Sequence, residues 1–354
     1  MPNYRAEVPV YLAMPELANQ VGFAMIDNYD ARMGGDRVDA PPPLPTTKRD
    51  VAEEQVRSTL MWGRILGGTG EQKPYGDISV SPSNGFLNGK GPIYNYGFGG
   101  LQAGMDVYRH AGAGGDRDFA GLYVGYIGAF ANVQTVYPNA STASPNGKVL
   151  IDAYSIGAYW TRLWGRGGYI DAVVQGTILG DVHGSTVNTG MTVEGKGFAA
   201  SLEGGAPIYR SGPWSFEPQA QLIYQLVSID SGTDAFGQTS FPTTGDFRGR
   251  IGTKLLYQIP TVAGGPPTAL WGRFNLWHDF IASAPAATFS TLTGADPTTV
   301  SGTLGGTWAQ VDVGGETALT PTASAFGSVY YDHGLDSASQ SWSVGGRLGV
   351  KVAF

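Results

Sequence analysis

The chain has 354 residues, with 54 glycines and 18 Tyr, 8 Trp and 15 Phe, yet only 14% of its residues are charged and its net charge is −7. That charged fraction lies well below the roughly 25% of soluble globular domains, and the acidic balance argues against a nucleic-acid partner. No run reaches the roughly 18 uncharged apolar residues of a membrane helix, which argues against an inner-membrane protein and leaves a barrel of short, alternately apolar strands.

The chain opens Met1-Pro2-Asn3-Tyr4-Arg5, without the apolar core of a signal peptide. A secreted barrel requires such a leader, so the expectation is a C-terminal part of a longer precursor or a recombinant fragment. The absence of cysteine suits an oxidising periplasm. Residues 1–35 are read as a linker segment carrying one helix over about 15–33. Pro15 fits a first helical position, Glu16 follows near the positive end of the dipole, and Gly34 and Gly35 stop the run. Nineteen residues span roughly 28 Å, about one hydrocarbon thickness. Asn19, Gln20, Asp27, Asn28, Asp30 and Arg32 are costly against lipid, which assigns this helix to a polar lumen or to water. Residues 36–54, with Pro41, Pro42, Pro43 and Pro45, read as an extended linker.

From residue 55 to 354 the pattern is β. Strands are expected near 55–66, 94–108, 118–132, 148–164, 168–182, 192–209, 213–229, 246–259, 269–283, 305–319, 323–332 and 341–354. Within 216–226, Phe216, Pro218, Ala220, Leu222 and Tyr224 alternate with Glu217, Gln219, Gln221 and Gln225. Asp246, Arg248, Arg250 and Lys254 share one parity, while 122–130 alternates poorly. Short turns near 109–117, 165–168, 210–213, 260–268 and 320–323 alternate with longer polar loops near 67–93, 133–147, 183–191, 230–245, 284–304 and 333–340. Twelve strands joined this way form an antiparallel barrel with periplasmic turns and extracellular loops. The last strand sets Trp342, Val344, Leu348, Val350, Val352 and Phe354 against Ser341, Ser343, Arg347 and Lys351, and ends on an aromatic residue. Arg347, Gly349, Val352 and Phe354 fit the polar-x-Gly-x-x-apolar-x-aromatic pattern, which resembles the C-terminal signal read by the barrel-assembly machinery.

Further segments carry a family resemblance: Tyr4 to Tyr11, Met61-Trp62-Gly63-Arg64, Gly100 to Tyr108, Ala153 to Thr161, Glu217 to Gln225, Arg248 to Gly252 and Gln340 to Ser343. In this order, over nearly the whole chain, they resemble the C-terminal translocator domain of monomeric, pertactin-like autotransporters (type V secretion). The resemblance implies an all-β membrane protein, a 12-stranded transmembrane β-barrel with an N-terminal α-helix in its lumen. It implies a monomer in the bacterial outer membrane that works with the barrel-assembly machinery and outer-membrane lipid. It also implies an N-terminal passenger, absent from this chain, that is exported to the cell surface. The helix would enter from the exterior, and the C-terminus would lie on the periplasmic side. The proline-rich segment 40–45 departs from the family pattern.

The lumen-parity charges Glu203, Glu217, Arg248, Arg250 and Glu316 are candidates for seating the helix; solvation of a polar lumen would select the same residue types. In serine-protease autotransporters of Enterobacteriaceae, a paired Asn upstream of Arg-Met-Gly is cleaved inside the barrel. Arg32-Met33-Gly34 is present here, but Asp27 replaces the first Asn and lacks the attacking amide, so Asp27 and Asn28 read as a solvated helix face. Tyr108, Trp160, Trp164, Tyr209, Trp214, Trp271 and Trp277 read as interface anchors. His110, His183, His278 and His333 give no metal-ligand spacing, and no nucleophile motif is complete, so no catalysis, metal or cofactor is expected. The alternative function is a stand-alone solute channel, against which the polar helix ahead of strand one argues.

Overall fold

The computed structural model describes residues 5–34, 59–73, 91–135, 144–260, 266–282, 286–302, 305–336 and 341–354. The linker at 36–54 lies outside the described residues. Two helices, α1 (Val8–Ile26) and α2 (Tyr29–Met33), precede twelve long strands. These are β1 (Leu60–Gln72), β2 (Tyr94–Ala111), β3 (Arg117–Thr135), β4 (Ser144–Leu163), β5 (Tyr169–Ser185), β6 (Gly190–Gly205), β7 (Trp214–Ile229), β8 (Thr244–Ile259), β9 (Thr268–Ala282), β10 (Thr307–Thr320), β11 (Ala323–Gly334) and β12 (Trp342–Ala353). Each pairs antiparallel with its neighbours, and β1 pairs β12 from Leu60↔Ala353 to Glu71↔Trp342, so the sheet closes. The Phe354 amide donates to the Thr59 carbonyl at 3.0 Å and extends that seam by one step. Closure removes the unpaired edge that a bilayer cannot solvate.

The expected twelve strands all form, with two differences in extent. β1 runs on to Gln72, past the glycines that read as a loop, because Tyr96 and Phe98 of β2 lie over Gly70 and Gly68. Within the loops at 230–245 and 284–304, four short strands (Gly232–Thr233, Gln238–Ser240, Ala286–Ser290 and Thr298–Ser301) pair into a separate small sheet.

The helix is also displaced from its expected position. It is 19 residues long, but it starts at Val8, with Pro9 at the helix start, and encloses Pro15. Pro is favourable at a helix start and costs about 3 kcal/mol in an interior, which is why Pro15 read as the beginning. Burial outweighs that cost: Val10, Tyr11, Leu12, Ala13, Met14, Leu17 and Val21 are all essentially inaccessible. The helix breaks at Asp27, whose φ of 49° is unusual for a residue with a side chain. It restarts with Asn28 as N-cap, the Asn28 side chain accepting from the Ala31 amide. α2 stops at Gly34, whose φ of 75° suits glycine.

Outward-facing residues form an apolar belt, including Ile65, Leu101, Val124, Ile156, Ile178, Leu202, Leu222, Ile251, Phe274, Val313, Val329 and Leu348. The lumen, expected to be polar, is polar only in part. Beside α1 it is lined by Ile127, Ala131, Val133, Val149, Ile151, Leu179, Val182, Val227 and Ile229. On β3 and β4 both faces are therefore apolar, one against lipid and one against the helix, which explains the poor alternation of 122–130. Leu17→Ala is expected to lower stability by about 2–5 kcal/mol, a cavity-forming cost, whereas Ile65→Ala on the outer face costs far less. Thermal unfolding of the micellar protein compares the two.

Candidate functional site

The lumen holds a helix seat built from side chains of nearly every strand. Residues 5–11 lie beside the small loop sheet. The Tyr11 hydroxyl donates to Asp234 at 2.9 Å, its ring stacks on Phe289, and the Arg5 guanidinium sits over Phe236 at 5.2 Å. Residues 27–33 lie beside the opposite ends of β5, β6 and β8, where the short connections are. The helix therefore runs from the loop end of the barrel to the turn end.

Half-way down, glutamines hold the backbone. Gln225 donates to the Asn19 carbonyl at 2.9 Å and to its side-chain oxygen at 3.1 Å, and Gln20 donates to the Tyr94 hydroxyl at 3.0 Å. Gly22 faces the Gln225 amide, which lies 2.6 Å from where a Cβ would sit. The last turn of α1 leaves carbonyls without intrahelical donors and carries the negative end of the dipole. Gln102 and Arg64 donate to the Met25 carbonyl at 2.8 and 3.1 Å, and Gln221 donates to that of Asp27 at 2.8 Å.

Below this the helix break is clamped by ion pairs. Asp27 accepts from Arg64 at 3.1 Å and from Arg347, which also binds Asp312 at 3.0 Å. Asp30 meets Lys254 at 2.6 Å and Arg273 at 3.2 Å, while Arg32 binds Asp171 at 2.6 Å and lies over the Tyr159 ring. The Tyr29 amide donates to Glu203 at 2.8 Å, and Arg250 donates to Glu203 at 2.7 Å. Asn28 is not on a solvated face as expected. It is buried, accepts from Arg273 at 2.7 Å, and donates through its own amide to Asp27.

The predicted lumen charges divide by contact. Glu203 touches the helix backbone. Arg248 reaches α1 by packing 3.8 Å from the Phe23 ring centroid, with Trp308 on its other face and Asp279 accepting at 2.7 Å. Arg250 acts through Glu203 and also donates to Asn275 at 2.9 Å. Glu217 accepts from Gln219, which reaches Asp30 at 3.4 Å. Glu316 bonds to Lys351 at 2.6 Å and to Ser324 at 2.9 Å on the wall. Arg64, Lys254, Arg273 and Asp171 were not among the residues expected to seat the helix, although Lys254 shares the parity of Arg250. Of the terminal residues, Arg347 faces the lumen, the Phe326 ring fills the space over Gly349, Val352 is half-buried, and Phe354 is exposed.

Two expected anchors prove to be lumenal. Trp271 and Trp277 share the inward parity of β9 with Arg273 and Asn275. Lys254 lies 5.5 Å from the Trp271 ring and Arg250 5.6 Å from that of Trp277. Tyr108, Trp160, Trp164, Tyr209 and Trp214 are outward and exposed. The histidines sit on separate strands. His183 and His278 bond to Thr192 and Thr307, and His333 stacks on Tyr331. Among the described residues no three His, Cys, Asp or Glu side chains converge on one point as direct metal ligands.

The family model described as the autotransporter beta-domain matches residues 61–330. The adhesin BmaC autotransporter of Brucella suis is 25% identical over 363 residues, covering all of this chain, which spans about a tenth of BmaC's length (10%). The transport unit of AIDA-I from Escherichia coli superposes with a TM-score of 0.65 at 16% identity, covering 99% of this chain and 100% of that one. The translocator domain of NalP from Neisseria meningitidis does so with a TM-score of 0.65 at 13% identity and the same coverage.

Breaking a buried ion pair by removing one partner costs about 3–5 kcal/mol. Asp30→Leu, which removes the carboxylate that Lys254 and Arg273 share, is expected to destabilise within that range. Adding Lys254→Met and Arg273→Met should recover much of the loss in a chemical-denaturation series.

Proposed function

This chain belongs to the autotransporter beta-domain family, and on that footing we propose that it anchors in the bacterial outer membrane as a monomer and supports export of a segment N-terminal to it. The long loops lie outside the cell and the short turns in the periplasm. α1 then marks the exit path: its N-terminus points outward, and an upstream passenger leaves through the same lumen. The observation that carries this reading is the helix itself, threaded from loop end to turn end and held at Asp27, Asp30 and Arg32 by charges from five strands. A solute channel has no use for so costly a plug. The seat's contacts hold and position the helix, a structural role.

Arg64, Arg347, Arg248 and Glu203 act as helix-seating residues. Arg347, Gly349, Val352 and Phe354 form the assembly signal read by the barrel-assembly machinery, so Arg347 serves both insertion and plugging.

The direct test of export is an epitope fused ahead of Met1, behind a signal peptide, in a Gram-negative host. Protease added to intact cells should remove the epitope. An epitope that stays protected while the barrel is inserted overturns the proposed path. Arg64→Ala should raise single-channel conductance in a planar bilayer several-fold over the wild type, since it removes one of the two cations on Asp27 and one of the two donors to the Met25 carbonyl. Deleting Phe354 should lower the yield of heat-modifiable, inserted barrel, and normal insertion would refute its part in the signal.

A further inference from the structure

The helix is packed off-centre. Its apolar contacts come mostly from β2 to β7, and on the other side a cavity of about 170 Å³ separates it from β8 to β12 near the loop end. Across it, Glu16, Asn19 and Gln20 of α1 face Asp246, Asp332 and Ser343 of the wall. These walls offer donors and acceptors together, and the volume has room for several waters. On the loop side the cavity is bordered by Gly305, Ser341 and Trp342, beside the loop ends of β10 and β12.

Its floor is a stack of flat side chains. Phe23 comes from α1 and Trp308 from the inward face of β10, and the Arg248 guanidinium lies 3.8 Å from the first ring centroid and 4.3 Å from the second. Asp279 accepts from Arg248 Nε at 2.7 Å and fixes the guanidinium to the wall. Phe23 is the α1 residue deepest in the cavity, and Arg248 and Trp308 are the deepest that β8 and β10 supply, so helix and wall meet here at one depth. Polar groups continue beneath. Gln310, two residues nearer the turn end than Trp308 and on the same parity, accepts from Asn275 at 2.8 Å and from Trp277 at 3.3 Å. On the β2–β7 side the seal is close apolar packing, which opens only by leaving a void. On this side it is a face-to-face stack held by cation–π attraction beside water-sized space, and flat faces part more easily.

We propose that a hydrated path for small inorganic ions survives beside the plug on the β8–β12 side, and that Phe23, Arg248 and Trp308 form its gate. The polar cavity is the vestibule on the loop side. The two rings make the constriction, which excludes water while they are stacked on the guanidinium. The cavity is too small for a polypeptide, so this path passes ions and water and not the exported segment. Arg248 thereby closes the gap that off-centre packing leaves. This inference rests on the reading of α1 as a seated plug.

The chain contains no cysteine, so one introduced thiol reports alone. The test adds a charged, membrane-impermeant methanethiosulfonate to intact cells carrying the full chain in the outer membrane, and follows the rate of modification. Ser343→Cys, in the vestibule, should react. Gln310→Cys, below the stack, should react about 10-fold more slowly or less, because the constriction holds the reagent out. Phe23→Ala should remove that difference, and so should Trp308→Ala, which leaves the helix unaltered. Ala131→Cys, on β3 against α1 and 1% exposed, should stay unreactive in every background. An unreactive Ser343→Cys overturns the vestibule. Equal rates at Ser343→Cys and Gln310→Cys with the stack intact overturn the gate, as does a Gln310→Cys that stays slow in both ring variants. Ring variants that expose Ala131→Cys as well show the stack to be a seating contact only, and overturn the gate. Reaction at Ala131→Cys with the stack intact overturns the plug itself.

Discussion

Asp27, Asp30 and Arg32 bring three charges into a lumen walled by membrane strands, and none is left alone. Arg64 and Arg347 close on Asp27, Lys254 and Arg273 on Asp30, and Asp171 on Arg32. Buried pairs of this kind add little net stability against apolar isosteres, but each is expensive to break singly. What they impose is position. They come from β1, β5, β8, β9 and β12, so they are satisfied together only when the barrel is closed and the helix break sits at one depth. The unusual backbone at Asp27 is held by the same contacts.

This constraint divides the lumen into two chemically different halves. Toward the loop end the wall formed by β2 to β7 is aliphatic and α1 is buried on nearly every side, as a core helix is rather than as an amphipathic one. Toward the turn end the wall is ionic and aromatic, with Trp62, Phe119, Tyr123, Tyr159 and Tyr169 around Tyr29 and Met33. Apolar packing resists lateral displacement but tolerates sliding and rotation. The charged layer fixes depth and rotation. A plug that must hold one depth and one rotation gains from having both.

The outer surface is governed by lipid alone. Its residues keep parity along most of each strand, because a one-residue slip would turn the charged wall outward; at the bulges neighbours such as Val107 and Tyr108 both face out. The lumen wall is fitted to the helix: Gln225 lies against Gly22, and Arg248 against Phe23.

The number of strands, the sense of each face and the alternation of turns and loops were legible in the sequence, because period two is set by local backbone geometry and the lipid face must be apolar. Pro15, Gly34 and the charges of residues 19–32 likewise announced a helix unfit for lipid. Its start could not be read, since burial from several strands overrides the local penalty of Pro15, and burial is not a local property. Which lumen charge touches the helix was hidden too: Glu203 and Glu316 have equal standing in the sequence, yet Glu203 takes the Tyr29 amide while Glu316 bonds to Lys351 and Ser324 on the wall. Arg347 read as a terminal signal and proved also to hold Asp27, 320 residues earlier in the chain. Sequence by itself determined the barrel and the sidedness of its strands. Only the closed tertiary structure decided which charges meet across the lumen, because closure brings strands distant in the chain to a common depth around one helix.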